Sequence, residues 1–469
     1  MKLFSFMGAT IFFVIINGLI DRKRIKGRQN MREILRLAAP VILEMILGMV
    51  VWIADTAMVG RLDAQALSAV GLGGQIFFSF VNVFAALGVG AAAIVARHIG
   101  AENYERGKQS AAHAFQISIV LGMVLTIFSI FIFDKFFILA KAESKVIDLG
   151  TRYLRLIAVS GLFMVPGMVT SAILRASGDT KTPMIGAIIT NVINLIGDYV
   201  LIFGKWGFPR LEVDGAAIAT AIGQIIGFCY VIWVLFKRDG KIKYEMAYLK
   251  TWDKKDFDQI WHLSLPAQTH ELLSSGGRLI YAFMIMQLGT LSFASNQIAT
   301  TAESLSFMPN SGFAVAATTM VGQYLGAGKL KEAEKNGWMS SYLAAAVMGA
   351  TAIIFFFFPR QLARLFTDEM DIVDLAGKCI RIAALEQIPM GFSMVLGGAL
   401  RGAGDTKGPM LTAILSTWIY RLPVTYVIVY IIKAPITALW YVTAIQYIIE
   451  AIFLVIRFKR GKWSNISIY

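Results

Sequence analysis

Charged residues, cysteine and histidine are all scarce in this 469-residue chain. Only 16% of its residues are Asp, Glu, Lys or Arg, and its mean hydropathy is +0.65. Because soluble globular proteins carry about 25% charged residues, an ordinary soluble protein is excluded. The two cysteines, Cys229 and Cys379, and the four histidines have no CxxC or metal-ligand spacing. A disulfide or a metal site therefore has no support.

Apolar residues instead arrive in runs of about 20 or more, the length that a helix needs to cross about 30 Å of hydrocarbon. We predict an all-α membrane protein with twelve transmembrane helices in two homologous six-helix lobes. The predicted spans are residues 35–59, 67–96, 109–133, 153–174, 184–204, 213–236, 262–288, 293–322, 336–358, 379–400, 410–432 and 435–456.

The two halves repeat each other at a displacement of 226 residues. The block Leu174-Arg-Ala-Ser-Gly-Asp-Thr-Lys-Thr-Pro-Met184 recurs as Leu400-Arg-Gly-Ala-Gly-Asp-Thr-Lys-Gly-Pro-Met410, identical at 8 of 11 positions. The same displacement carries Pro40 onto Pro266 and Val95 onto Val321. Long repeats in apolar chains are typical of secondary transporters. We read the repeated Gly-Asp-Thr-Lys block as a structural turn that ends one span and starts the next.

The net charge of +14 is unevenly distributed among the loops. One alternate set of connections holds roughly twice as many Lys and Arg residues as the other, which is the positive-inside pattern. It places both ends of the twelve-helix body in the cytoplasm and predicts a multi-pass protein of the cell membrane. No basic stripe with interleaved aromatic residues suggests nucleic-acid binding. We expect membrane lipids as partners and a monomeric protein.

The chain divides into five predicted regions: residues 1–32, 33–236, 237–260, 261–458 and 459–469. The second and fourth regions are the N-lobe and the C-lobe, and the last is a cytoplasmic tail. The first is an apolar segment with a basic flank, read as a thirteenth span, a signal anchor or an over-extended gene start. The third is a cytoplasmic linker, either an amphipathic segment on the membrane surface or a solvated connection.

Acidic side chains inside spans are costly in hydrocarbon, so each needs a cavity or a partner. Asn191, Asn194 and Asp198 share one face of the fifth span. Asp55, in the first span, approaches them if these two spans are neighbours, and Thr220 adds a hydroxyl. Carboxylate and amide oxygens suit hard cations, and two close carboxylates need a proton or Na⁺ between them. The alternative is a set of structural polar groups that tie helices together.

The repeat provides an internal control for this cluster. Carried forward by 226 residues, Asp55 becomes Tyr281, Asn194 becomes Tyr420 and Asp198 becomes Val424. A structural role common to both halves should have persisted, so the loss favours a specialised site in the first half.

The second half has acidic residues of its own, Glu271, Glu303 and Glu386, as candidates for binding substrate or a second ion. Glu271 lies on one helix face with Arg278, so an internal ion pair is its alternative explanation. Three prolines inside spans, which remove helical hydrogen bonds at membrane depth, are hinge candidates or packing kinks. They are Pro166, Pro309 and Pro389.

The chain resembles the multidrug and toxic compound extrusion (MATE) family over residues 33–460. The resemblance rests on motifs in both halves, which are Asp55-Thr-Ala-Met-Val-Gly60, Leu174-Arg-Ala-Ser-Gly-Asp-Thr180, Asn191-x-x-Asn194-x-x-x-Asp198, Gly215-Ala-Ala-Ile-Ala-Thr220, Val321-Gly-Gln-x-Leu-Gly-Ala327 and Leu400-Arg-Gly-Ala-Gly-Asp-Thr406. It implies two lobes around a central cavity and efflux of cationic or amphiphilic compounds in exchange for Na⁺ or H⁺. It also implies cation binding at Asp55, Asn194, Asp198 and Thr220.

We therefore expect a multidrug antiporter that works by alternating access on small organic cations, with no cofactor besides the coupling ion. A lipid-linked saccharide flippase of the same superfamily is the alternative; it would need several cavity Arg or Lys residues for pyrophosphate, and only Arg278 and Arg421 qualify. An enzyme is not expected, because no nucleophile–base pair is evident.

Overall fold

A computed structural model of the chain describes residues 25–139, 143–237 and 240–466, and the regular structure within these ranges is helical throughout. The alternatives for the N-terminal segment concern residues 1–24, which lie outside the described residues.

The helices of the first half are α1 (Ile25–Val59), α2 (Ala64–Ala85), α3 (Leu87–Gly100), α4 (Tyr104–Phe131), α5 (Asp134–Leu139), α6 (Ser144–Ala176), α7 (Lys181–Phe203) and α8 (Glu212–Lys237). The connection contains α9 (Met246–Leu249). The second half begins with α10 (Lys254–Met286), α11 (Thr290–Gly326), α12 (Leu330–Phe357), α13 (Pro359–Arg364), α14 (Met370–Ala383) and α15 (Gln387–Gly402). It ends with α16 (Lys407–Ala413), a π-helical segment (Ile414–Arg421), α17 (Leu422–Tyr426), a second π-helical segment (Val427–Ile432) and α18 (Ile436–Lys459).

Nine helical segments in the described ranges are long and apolar enough to cross a membrane, and the pair α14–α15 makes a tenth. That pair is bent by 54°. α10 and α11 are 33 and 37 residues long and complete the twelve predicted spans. They are less apolar than the others because they carry polar side chains such as Glu271, Arg278 and Glu303.

Side-chain caps fix where several spans begin. The Asp63 carboxylate accepts a hydrogen bond from the Ala66 N–H at 2.6 Å at the start of α2, and Asn103 caps α4 through the Arg106 N–H. Both residues satisfy backbone donors that have no partner inside the helix. The caps hold the short turns between neighbouring spans.

The repeated Gly-Asp-Thr-Lys blocks form equivalent turns. Gly178 and Gly404 have φ of 95° and 87°, a left-handed conformation that favours glycine. The Asp179 carboxylate then accepts the Thr182 N–H at 3.0 Å, and Asp405 accepts the Gly408 N–H at 3.0 Å. The block is thus a helix–turn–helix connection in which the aspartate caps the second helix.

The chain packs into two compact units, and these are not simply its two halves. The N unit contains residues 43–272 and 326–328, and the C unit contains residues 25–42, 273–325 and 329–466. Within the C unit, Gly312 of α11 packs against Ala38 of α1. Within the N unit, Ser264 of α10 donates a hydrogen bond to the Leu87 carbonyl at 2.9 Å. The divisions therefore fall inside the first and seventh spans.

The connection between the halves is packed against the N unit. Ile242 and Tyr244 are 5% and 1% exposed in its core. Lys108 forms an ion pair with Glu245 at 3.0 Å, and the Tyr248 hydroxyl donates to Glu105 at 2.6 Å. Neither a solvated linker nor a segment resting only on lipid describes these residues, because apolar burial and ion pairs both bind the connection to the protein.

Candidate functional site

Four of the predicted cation-binding residues meet in the N unit. Asp55 lies on α1, Asn194 and Asp198 lie one turn apart on α7, and Thr220 lies on α8. Asp198 is fully buried and Asn194 is nearly so. The Asn194 side-chain amide donates to the Thr220 hydroxyl at 3.2 Å, which joins α7 to α8 beside the carboxylates.

The carboxyl groups of Asp55 and Asp198 lie within hydrogen-bonding reach of each other. Both oxygens of Asp198 and Oδ1 of Asp55 are buried, and none of the three accepts a well-formed hydrogen bond from the described protein. Two ionised carboxylates in such a place repel each other at low effective dielectric. The arrangement is satisfied when a proton or a small cation binds between them.

Tyr153, a residue that the sequence analysis missed, belongs to the same neighbourhood. It lies on α6, is 3% exposed, and is close enough to interact electrostatically with both Asp55 and Asp198. A tyrosine buried in a span can place a hydroxyl beside an ion site. The sequence contained no distinguishing signal, because aromatic residues are common in all the spans.

Asn191 lies one turn before Asn194 on α7 and lines a cavity of about 300 Å³ in the N unit. Polar groups of the cavity wall include Gln224 and the ion pair between Glu44 and Arg175, whose atoms approach to 3.3 Å. The remaining lining is rich in methionine and phenylalanine. These side chains are Met45, Phe163, Met164, Met168 and Phe228.

A second carboxyl pair, absent from the sequence predictions as a pair, lies in the C unit. Glu303 of α11 and Glu386, at the bend before α15, lie within hydrogen-bonding reach of each other. Glu386 is fully buried, and neither of its oxygens accepts a hydrogen bond from the described protein.

Unlike the pair in the N unit, this pair lies beside a fixed positive charge. Arg421, at the end of the first π-helical segment, interacts electrostatically with both glutamates. Its guanidinium lies 3.9 Å from the centre of the Tyr281 ring and donates to the Gln446 side-chain oxygen at 3.1 Å. Two acids therefore share one protein cation.

Glu450, a further acid in the C unit, is held by structural hydrogen bonds. Ser416, Gln446 and Ser393 donate to its carboxylate at 2.6, 3.0 and 3.2 Å. Since three donors satisfy this carboxylate, it resembles a structural group more than an ion site.

The remaining predicted residues are placed elsewhere. Glu271 belongs to the N unit, whereas Glu303 and Glu386 belong to the C unit. Pro166 and Pro309 lie inside the unbroken helices α6 and α11. Of the three hinge candidates, Pro389 alone coincides with a broken span, three residues after the α14–α15 break begins at Glu386.

Comparison with known proteins identifies the family. The sequence profile named MatE matches residues 40–200 and 266–427. The second segment is one residue longer than the first. A probable multidrug resistance protein NorM from Thermotoga maritima is 32% identical over 92% of this chain and 93% of its own length. Another, YoeA from Bacillus subtilis, is 27% identical over 86% of this chain and 87% of its own length.

Solved structures share the fold. A multidrug resistance MATE family transporter in an outward-facing conformation has a TM-score of 0.85 at 24% identity, over 94% of this chain and 100% of its own. A MOP superfamily transporter from Pyrococcus furiosus gives the same TM-score and identity, over 94% and 98%. These likenesses confirm the predicted all-α membrane fold with two lobes of six helices. The family profile and the NorM relative together show that this chain belongs to the MATE family of membrane transporters.

Proposed function

We propose that the protein is an ion-coupled antiporter that exports cationic or amphiphilic organic compounds in exchange for Na⁺ or H⁺. The observation that carries this proposal is the buried Asp55–Asp198 pair, whose oxygens lack protein donors beside Asn194 and Thr220. Such a group of oxygen ligands binds a small cation or a proton and releases it when the geometry changes.

The coupling follows from the charge of the pair. With the ion bound, Asp55 on α1 and Asp198 on α7 attract a common partner; without it, they repel each other. Ion occupancy therefore favours one arrangement of these two helices over another, which is what alternating access requires. Tyr153, close to both carboxylates, excludes water from the pair.

The nature of the cargo is supported by the cavity next to this site. Met45, Met168, Phe163 and Phe228 give the cavity an adaptable apolar lining, and methionine-rich surfaces accept diverse ligands. Asn191 and Gln224 add polar contacts. The relatives named above are described as multidrug resistance proteins, and we extend that activity to this chain.

The expected location is the cell membrane, with the basic loops on the cytoplasmic side. The flippase alternative gains no support from the C unit, because Arg421 is already engaged by two glutamates and by Gln446. It predicts that Arg278→Ala abolishes transport, whereas an exporter of cations tolerates this change.

Transport in proteoliposomes tests the proposal. Uptake of a fluorescent organic cation is measured under an imposed pH or Na⁺ gradient for wild type, Asp55→Asn and Glu212→Gln. The last variant is a matched control, since it removes an exposed carboxylate that pairs with Arg210 between spans. Asp55→Asn should lose gradient-driven uptake while Glu212→Gln keeps it. Equal uptake by all three would remove Asp55 from the coupling role.

A further inference from the structure

Arg421 is the only positively charged group that the described structure places beside a carboxyl pair deep in a unit. Its guanidinium faces Glu303, Glu386, Tyr281 and Tyr447, and its Nε has no hydrogen-bond partner in the described protein. An arginine stays charged throughout the physiological pH range. The question is which position of the first half this cation corresponds to.

The uniform displacement of 226 residues fails in the eleventh span. The π-helical segment Ile414–Arg421 follows the repeated turn, and π-helical turns accommodate an extra residue. The second family segment is longer than the first by one residue, as such an insertion requires. Beyond it, Asn194 corresponds to Arg421 instead of Tyr420, and Asp198 corresponds to Thr425 instead of Val424.

Neighbouring contacts support this corrected register. Thr220-Ala-Ile in α8 matches Thr443-Ala-Ile in α18, which makes Gln446 the counterpart of Gly223. A side chain added at Gly223 would meet Thr190 and, at 3.3 Å, Asn194. Gln446 contacts the corresponding pair, since it donates to Thr417 at 3.1 Å and accepts from Arg421 at 3.1 Å.

The same register places the guanidinium over Tyr281, which is the counterpart of Asp55. In the first half, an ion between Asp55 and Asn194 would occupy this place. In the second half, Arg421 extends from the Asn194 position to the Asp55 position. Thr425, at the Asp198 position, is fully buried and uncharged.

We propose that Arg421 is a tethered cation that permanently fills the second-half counterpart of the exchangeable cation site. The inference rests on the proposed function for the Asp55–Asp198 site and adds that ion exchange is confined to that half. Glu303 and Glu386 then serve as the counter-charge of Arg421, with one carboxyl neutralised by the guanidinium and the other holding a proton toward its neighbour. Their prediction as a second-ion site stays open to the same experiment.

Chemical rescue tests the tether directly. Arg421→Ala leaves a space of the size and charge preference of a guanidinium ion. Thermal unfolding of the purified protein in detergent is followed with guanidinium chloride at low millimolar concentration, and with NaCl at equal ionic strength. We expect Arg421→Ala to melt below wild type and to regain several degrees with guanidinium, because a ligand that binds only the folded state stabilises it.

Two controls accompany this variant. Arg278→Ala removes an exposed arginine from α10 and should show no response to guanidinium. Arg421→Lys keeps a cation and should melt near wild type. If Arg421→Ala melts like wild type and ignores guanidinium, the tether is overturned.

A charge-balanced variant covers the case in which Arg421→Ala does not fold. Arg421→Met with Glu386→Gln removes one charge of each sign, and we expect it to fold and to keep the response of its melting temperature to Na⁺ or pH. Loss of that response would contradict the proposal. Because the rescue is read without transport, a failure of Asp55→Asn to stop transport would leave the rescue result unaffected.

Discussion

The two halves of this transporter keep the same turns and bury different charges. In the first half, Asp55 and Asp198 meet with no protein cation between them; in the second, Glu303 and Glu386 meet beside Arg421. The Gly-Asp-Thr-Lys turns are retained with equivalent caps. The comparison teaches that duplication preserved what builds the bundle, whereas the polar interior of each half diverged toward a separate task.

The largest effect is expected from Asp198→Asn. This change removes one charge of the pair and so removes the preference for a bound cation. Coupling free energies of about 1–3 kcal/mol correspond to about 5- to 150-fold effects, so gradient-driven uptake should fall within or beyond that range. Uptake in proteoliposomes is the measurement, with Glu212→Gln as control. Undiminished uptake would show that the buried pair is not the coupling site.

Asn194→Arg would make the first half imitate the second. A guanidinium beside Asp55 and Asp198 should replace the exchangeable ion, so the protein should stay folded while its melting temperature stops responding to Na⁺ or pH. The same coupling free energy predicts a loss of driven uptake of about 5- to 150-fold. Thermal unfolding across an ion titration checks it, and a retained ion response would contradict the tethered-cation comparison.

A smaller difference separates the two repeated turns. Arg457 donates two hydrogen bonds to Asp405, at 2.6 and 2.9 Å, whereas the Asp179 turn is held by Lys181, Thr182 and further contacts. Hydrogen bonds to charged groups contribute about 1.5–3 kcal/mol when lost. We expect Asp405→Ala to lower the melting temperature more than Asp179→Ala. Equal shifts would mean that the arginine adds nothing to the second turn.

The smallest effect concerns the cap of α2, which the second half lacks because Gly289 stands at the counterpart of Asp63. The Ala66 N–H, then Lys145, lower the pKa of the Asp63 carboxyl below its ordinary value of 3.8. A lowered pKa means stabilisation that is present above pH 3.8 and is lost as the pH falls through the folded-state value. Asp63→Ala should cost about 0.5–2 kcal/mol at neutral pH. Melting curves of the two proteins should converge in acid; a constant gap would contradict this reading.

The sequence was sufficient for the elements that depend on local pattern. Apolar runs located the twelve spans, and the helical spacing of Asn194 and Asp198 identified the face that bears the candidate site. Asp55 was included on the condition that the first and fifth spans are neighbours, and the structure places it beside Asp198.

What could not be predicted depends on packing between distant segments. Glu303 and Glu386 lie 83 positions apart, and nothing local indicates that the eighth and tenth spans bring them together. A π-helical turn has no strong sequence signature, so the one-residue shift that aligns Arg421 with Asn194 was hidden. Burial of Tyr244 likewise required the surface of the N unit.

The most direct test of the account compares ion-dependent stabilisation in three purified proteins: wild type, Asp198→Asn and Glu386→Gln. The melting temperature is recorded while Na⁺ and pH are varied separately. The account predicts an ion response in wild type and in Glu386→Gln, and none in Asp198→Asn. A response that survives in Asp198→Asn and disappears in Glu386→Gln would place the exchangeable ion in the second half and contradict the account.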